Sequence, residues 1–219
     1  SILQSDLLLS SGQRIRHQPV RTFSYKIIML QHLNKYEIIL GSASPRRSEL
    51  LKGLDINFRI LPNNVDENYP ADLIGVKIPE YLAQKKADAY TLNENTLLIT
   101  ADTIVWLNGV VYGKPTDRDD AREILKTLSG KMHQVITGVC IRTAEKSHVF
   151  HAMTDVYFAQ FSDEEIEYYL DYYAPYDKAG SYGVQEWIGY IGVERIEGSY
   201  FNVMGLPIQR LYNELKNWR

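Results

Sequence analysis

The sequence predicts an α/β fold: a mixed β-sheet with flanking helices in a single unit. Three observations carry this. Apolar β-rich runs alternate along the chain with amphipathic runs of helical period. Some neighbouring strands are joined by tight turns, which make antiparallel pairs, so the sheet is not purely parallel. No internal repeat, low-complexity tract or linker divides the 219 residues, a length sufficient to bury a substantial core.

The elements follow in order. "YEIIL" (36–40) is a short β-branched run ending at Gly41 and reads as a strand. Ser44 is a good N-cap and Pro45 suits a first helical position, with Leu50, Leu51 and Leu54 forming a helical face. "INFRIL" (56–61) alternates as a strand should, and Pro62 closes it. An acidic loop leads to a helix over 78–92, with Pro79 in its first turn. "TLLITA" (96–101) is an apolar strand buried on both faces, expected to stop at Asp102. Asn108-Gly109 between apolar runs marks a hairpin. Thr116 is expected to cap a helix over 117–128, ended by Ser129-Gly130. Two long β-rich runs, about 132–143 and 147–160, precede a helix over 162–173 capped by Ser162. The glycine-rich stretch after Asp177 is irregular, with a strand near 190–196, and a helix from about Leu206 closes the chain.

Regular patterning begins only near Lys35. Residues 1–35 are therefore expected to be an N-terminal extension, poorly ordered or not native, with Met29 a candidate start; the domain is 36–219. A polar stretch without a basic leader does not make a signal peptide, and no apolar run reaches the roughly 18 residues of a membrane helix. A net charge of −3 argues against stable nucleic-acid binding or membrane-surface binding. The single cysteine, Cys140, excludes an internal disulfide and lies in a strand-like run, as a buried inert thiol would.

Among candidate functional residues, Arg46 and Arg47 come first. Two cations in the first turn of a helix oppose its dipole, at about 0.3–1 kcal/mol each, unless an anion is bound there. With an anion, backbone N–H groups, the Ser42 and Ser44 hydroxyls and the guanidinium forks converge on one phosphate. The alternative is that one arginine pairs with Glu49 and the other is solvated. Asp102, closing a buried strand, is a metal ligand, a general base toward water, or a turn aspartate. Lys86 continues the ladder Ile78–Leu82–Lys86, which suits either a site lysine or a snorkelling one. Lys114 is a lone loop cation. Asp66 and Glu67 form a loop carboxylate pair able to hold Mg²⁺. The five histidines show no zinc-ligand spacing, and neither a Walker loop nor a G-x-S-x-G elbow occurs. The tyrosines of "EYYLDYYAPY" suit helix packing or a dimer surface, since no basic patch accompanies them.

Taken together, "ILGSASPRRSELL", "VDE", "LAQKKADA", "ADTIVWLNGVVYGKP", "LSGKMHQVITGV" and "DKAGSYGVQEW…GSYFNVMGLP" resemble the Maf-like proteins, in the same order and from about Tyr36 to the C-terminus. The resemblance implies a two-lobed fold similar to the inosine-triphosphate pyrophosphatases. It also implies cleavage of a nucleoside triphosphate to the monophosphate and pyrophosphate, a divalent cation such as Mg²⁺ or Mn²⁺, and a cytoplasmic homodimer. Asp177, Lys178, Ala179, Gly180, Tyr182, Gly183 and Gln185 resemble the subgroup acting on dTTP and UTP. By the same resemblance Asp102 is the proton acceptor, and Arg46, Thr103 and Gln185 bear on substrate choice. Ser42, Arg46, Arg47, Lys86 and Lys114 fall on phosphate-binding positions, and Glu67 faces the metal. Two departures are Ala43, where Gly or Asn is frequent, and Glu186, where Gly is usual. The alternatives are the same chemistry on 7-methyl-GTP or inosine triphosphate, or a nucleotide-binding regulator of septum formation and cell division.

Overall fold

The computed structural model describes residues 29–219. Its strands are β1 (Glu37–Leu40), β2 (Arg59–Ile60), β3 (Thr96–Leu107), β4 (Val110–Tyr112), β5 (Met132–Arg142), β6 (Ser147–Phe158) and β7 (Val193–Glu197). They form one mixed sheet in the order β2-β1-β3-β5-β6-β7, with β4 paired to β3. β1 runs parallel to both β2 and β3, and the remaining pairs are antiparallel. The helices are α1 (Pro45–Lys52), α2 (Lys77–Asp88), α3 (Arg118–Leu128), α4 (Asp163–Tyr173), α5 (Trp187–Gly192), α6 (Tyr200–Val203) and α7 (Ile208–Lys216). The mixed-sheet α/β class is the one the sequence predicts.

Side-chain caps begin α1, α3, α4 and α6. Ser44 accepts from the Arg47 N–H with Pro45 behind it, so α1 starts where the sequence indicates. Ser162 and Glu165 form a reciprocal capping box at α4. At the β3–β4 turn, Asn108 and Gly109 both take positive φ, 51° and 85°, as a two-residue hairpin of this hand requires.

Several boundaries differ from expectation. β3 does not stop at Asp102 but continues five residues further, because Thr103 to Leu107 pair with β5 and β4 and supply the hydrogen bonds that extend the strand. Asp117, not Thr116, caps α3, accepting from the Asp120 N–H. α2 ends at Asp88, and the strand expected over 56–61 shrinks to Arg59–Ile60. The strand expected near 190–196 begins only at Val193, after the short helix α5. Most of the expected N-terminal extension lies outside the described residues. Its end does not behave as an appendage: Gln31–Lys35 form a 3-10 turn, and Leu30 and Leu33 are buried with α7 residues Leu211 and Leu215.

The alternation along β3 divides the core. Leu97, Ile99 and Ala101 pack with Leu51 and the α7 residues. Leu98 faces Ala83 and Ala87 of α2, and Ile104 faces Ile78 and Leu82 of the same helix. Asp102 shares the side of Leu98 and Ile104, so strand periodicity alone points it at α2. α2 lies very close to the sheet: a Cβ on Gly138 would come within 2.2 Å of the Pro79 carbonyl oxygen. α3 and α4 cover a further cluster around Val105, Val135 and Phe158.

One feature of the sheet positions the cleft. β1 pairs with β3 only as far as Leu40↔Ile99, and β4 begins only at Val105↔Tyr112. Between them, residues 100–104 have no strand partner on that edge. The sheet splits there, at the carboxyl end of β1, where open α/β sheets place their ligands.

Candidate active site

A cleft of about 610 Å³ opens at this split. Ser42, Arg46, Arg47, Glu67, Lys86, Asp102, Thr103, Lys114 and Gln185, all singled out in the sequence, line it together. They come from the β1–α1 loop, α1, the loop before α2, α2 itself, β3, the loop after β4 and the segment before α5.

Lys86 is the hub of one wall. Its side chain is 15% exposed, and Nζ lies 2.5 Å from Asp102 Oδ1 and 2.8 Å from Glu67 Oε1. The four-residue ladder from buried Ile78 and Leu82 carries it there. Lys86 is therefore not a snorkelling lysine: its ammonium is turned inward, against carboxylates. Asp102 is 6% exposed, and this ammonium is what allows a carboxylate in that place. Lys114 Nζ lies 3.4 Å from Glu67. Burial works to raise the Glu67 carboxyl, but Lys86 and Lys114 outweigh it and hold it below the usual carboxylate range. Asp66 turns away from this cluster to Lys85, 3.2 Å distant.

The two arginines separate. Arg47 is tied into the protein: Nε donates to Gly205 O (2.8 Å), Nη1 to Ala101 O (2.9 Å) and Ser42 Oγ (3.3 Å), and Nη2 to Thr103 Oγ1 (3.0 Å). The Ala101 carbonyl lies on the unpaired stretch of β3, so Arg47 takes a place that a neighbouring strand would otherwise fill. Burial pulls its pKa down, partly offset by the Asp102 charge. Arg46 faces the cleft instead, with Nη1 3.1 Å from Asp177 Oδ2. Neither pairs with Glu49. Thr103 Oγ1 also meets Thr137 Oγ1 at 2.9 Å, which fixes its hydroxyl at the base of the cleft.

Sequence reasoning assigned no role to Lys178 or Gly205. Lys178 is 7% exposed, lines the cleft and pairs with Asp177 (2.7 Å) and Glu186 (3.1 Å). The signal available for it was its place in "DKAGSYG". Gly205 acts through its carbonyl, for which a sequence carries no signal. Cys140 is buried, and burial raises its thiol pKa, as an inert structural thiol requires.

Fold and site together define an α/β protein whose sheet opens on a deep cleft lined by paired cations and carboxylates. The family model described as Maf-like protein matches residues 37–218. A Bacteroides thetaiotaomicron protein named dTTP/UTP pyrophosphatase is 60% identical over 192 residues, covering 86% of this chain and 99% of the relative. A Porphyromonas gingivalis protein of the same name is 56% identical over 196 residues, covering 87% of this chain and 98% of the relative. A solved structure of a HAM1 protein from Coxiella burnetii aligns with 82% of this chain and 98% of its own, at 16% identity and a TM-score of 0.47. The chain belongs to the Maf-like family.

Proposed function

We propose that this protein is a nucleoside triphosphate pyrophosphatase acting on dTTP and UTP. The observation that carries the reading is the convergence of Lys86, Glu67 and Asp102, with Lys114 and Arg46 beside them, in one cleft at the split of the sheet. The names of the relatives supply the substrate class.

A triphosphate carries about four negative charges, and phosphoryl transfer depends chiefly on positioning and charge stabilisation. Arg46, Lys86 and Lys114 bind the phosphate chain. Ser42 and the α1 N-terminus add neutral donors, and Arg47 braces the wall on which they stand. Asp102 accepts the proton of the attacking water, and bond cleavage between the α and β phosphates releases pyrophosphate. Thr103 and Gln185, with Arg46, select the nucleotide.

The donor set also fits a divalent cation such as Mg²⁺ or Mn²⁺. Glu67 and Asp102 reach the same ammonium, so both can reach one cation, and Mg²⁺ is commonly held by one or two carboxylates with phosphate and water oxygens. Among the described residues no group of three or more His, Cys, Asp or Glu forms a metal cluster, which leaves the remaining ligands to substrate and water. When bound, the cation neutralises charge on the phosphates.

The reading extends to a cytoplasmic homodimer. Exposed aromatics such as Tyr172, Tyr190 and Phe201 suit a subunit contact, and sedimentation equilibrium gives the mass directly. Among the described residues no helix is long and apolar enough to cross a membrane.

The deciding experiment is a screen of nucleoside triphosphates, including 7-methyl-GTP and inosine triphosphate, with pyrophosphate detection. dTTP and UTP are expected to lead. Asp102→Asn should lower pyrophosphate release by about 10²–10⁴-fold while the circular dichroism spectrum is retained. Full activity in that variant removes Asp102 from the role.

A further inference from the structure

Behind the cleft wall that carries Lys178, a chain of polar contacts runs from the core to Arg46. Tyr169, fully buried on α4, accepts from the Gly183 N–H at 3.0 Å and donates to Glu186 Oε2. Glu186 Oε1 lies 3.1 Å from Lys178 Nζ. Lys178 in turn meets Asp177 Oδ1 at 2.7 Å, and Asp177 Oδ2 meets Arg46 at 3.1 Å. Neither Glu186 nor Tyr169 is among the residues lining the cleft, whereas Gly183, Lys178, Asp177 and Arg46 are.

The arrangement has a physical logic. Lys178 has a long flexible stem and an ammonium that is almost fully enclosed, and one carboxylate would leave it free to swing about that contact. A second carboxylate on the far side fixes it. Glu186 is in turn fixed by a phenol that cannot move, because Tyr169 lies in the core and also holds the Gly183 backbone. Burial and the adjacent Glu186 raise the Tyr169 pKa, so the phenol stays a donor. With Lys178 anchored from behind, Asp177 can share its other oxygen with Arg46.

We propose that Glu186, backed by Tyr169, is a positioning residue for nucleotide binding: it fixes Lys178 as a polar contact in the cleft and, through Asp177, the direction of Arg46. The inference rests on the nucleotide reading above and deepens it, by assigning Lys178 to substrate binding and Glu186 to holding it.

Two measurements on the full chain test it: calorimetric affinity for the non-hydrolysable α,β-methylene analogue of UTP, and steady-state kinetics with dTTP and UTP. Glu186→Gln is expected to weaken analogue binding and raise KM by about tenfold, with kcat changed by less than about threefold. By charge alone, removing an anion beside a site for a polyanion would tighten binding. A KM and affinity that improve or stay the same therefore overturn the proposal. Lys178→Met should weaken binding at least as much, and the double variant should be no worse than Lys178→Met, because Glu186 acts through that ammonium. Independent, multiplying effects overturn it. Tyr169→Phe keeps every charge and should shift KM in the same direction by a smaller factor. Should Glu186→Gln fail to fold, Tyr169→Phe decides alone, and an unchanged KM overturns the proposal. A wild-type protein that binds the analogue but releases no pyrophosphate sinks the hydrolase reading, while the affinity comparison still decides the role of Glu186. Failure to bind the analogue at all overturns both.

Discussion

Arg47 and Lys86 illustrate two opposite uses of a cation at one site. Lys86 is a compact ammonium between two carboxylates. Arg47 spends its planar fork on two backbone carbonyls and two hydroxyls, and holds α1, β3 and the loop before α7 in register. A lysine has the charge but not the fork. Arg47→Lys is accordingly expected to destabilise the fold by about 1–3 kcal/mol, read as a lower midpoint in urea. The same change at Arg46, whose side chain is 23% exposed and makes one ion pair, should leave the midpoint nearly unchanged. At this scale the candidate side chains were legible in the sequence, because their types suit phosphate chemistry. The division of labour between adjacent arginines was not, because it depends on which carbonyls end up opposite each one.

At the scale of elements, the site depends on α2 lying flat on the sheet. Gly138 on β5 makes that approach possible, since any side chain there meets the Pro79 carbonyl. Gly138→Ala must push the first turn of α2 outward, at a cost of about 1–3 kcal/mol. Because Lys86 rides on the same helix, the variant should also lose pyrophosphate release, and both effects are measurable on one preparation. Helix and strand types were well read from periodicity and caps. Two of the boundary errors were set by pairing. β3 outran its expected end because partners on β5 and β4 continue past Asp102, and the strand over 56–61 shrank because β1 meets it over only two positions. Asp102 thereby changed from a strand-terminal residue into one in mid-strand, on the stretch that β1 and β4 leave unpaired on that edge.

For the molecule as a whole, stability should depend on pH through His133. It is fully buried on β5, its Nε2 lies 2.7 Å from the Tyr182 hydroxyl, and the Phe158 ring packs edge-on at 4.7 Å. Burial pulls its pKa from 6.5 down to about 4. Between those values the unfolded chain binds a proton that the native protein refuses. Stability from this group is therefore complete above pH 6.5 and falls as pH drops toward 4, by up to about 3 kcal/mol. Urea denaturation at steps across this window should show the slope, and His133→Gln should flatten it. Glu67 and Asp177, both held below the usual carboxylate range, lose their contribution lower on the scale, so their effect does not mask the upper part of the window.

The sequence by itself determined the α/β class, the kinds and order of the main elements, and most of the charged side chains that line the cleft. Those properties are local: periodicity, caps, turn residues and side-chain chemistry are written in neighbouring letters. The tertiary structure decided where the sheet splits, that Lys86 faces inward, that Arg47 is a brace, and that Glu186 stands behind Lys178. Each depends on contacts between distant parts of the chain. Arg47 bonds to carbonyls 54 and 158 positions away, and a backbone carbonyl looks the same in every residue until the fold brings it to its partner.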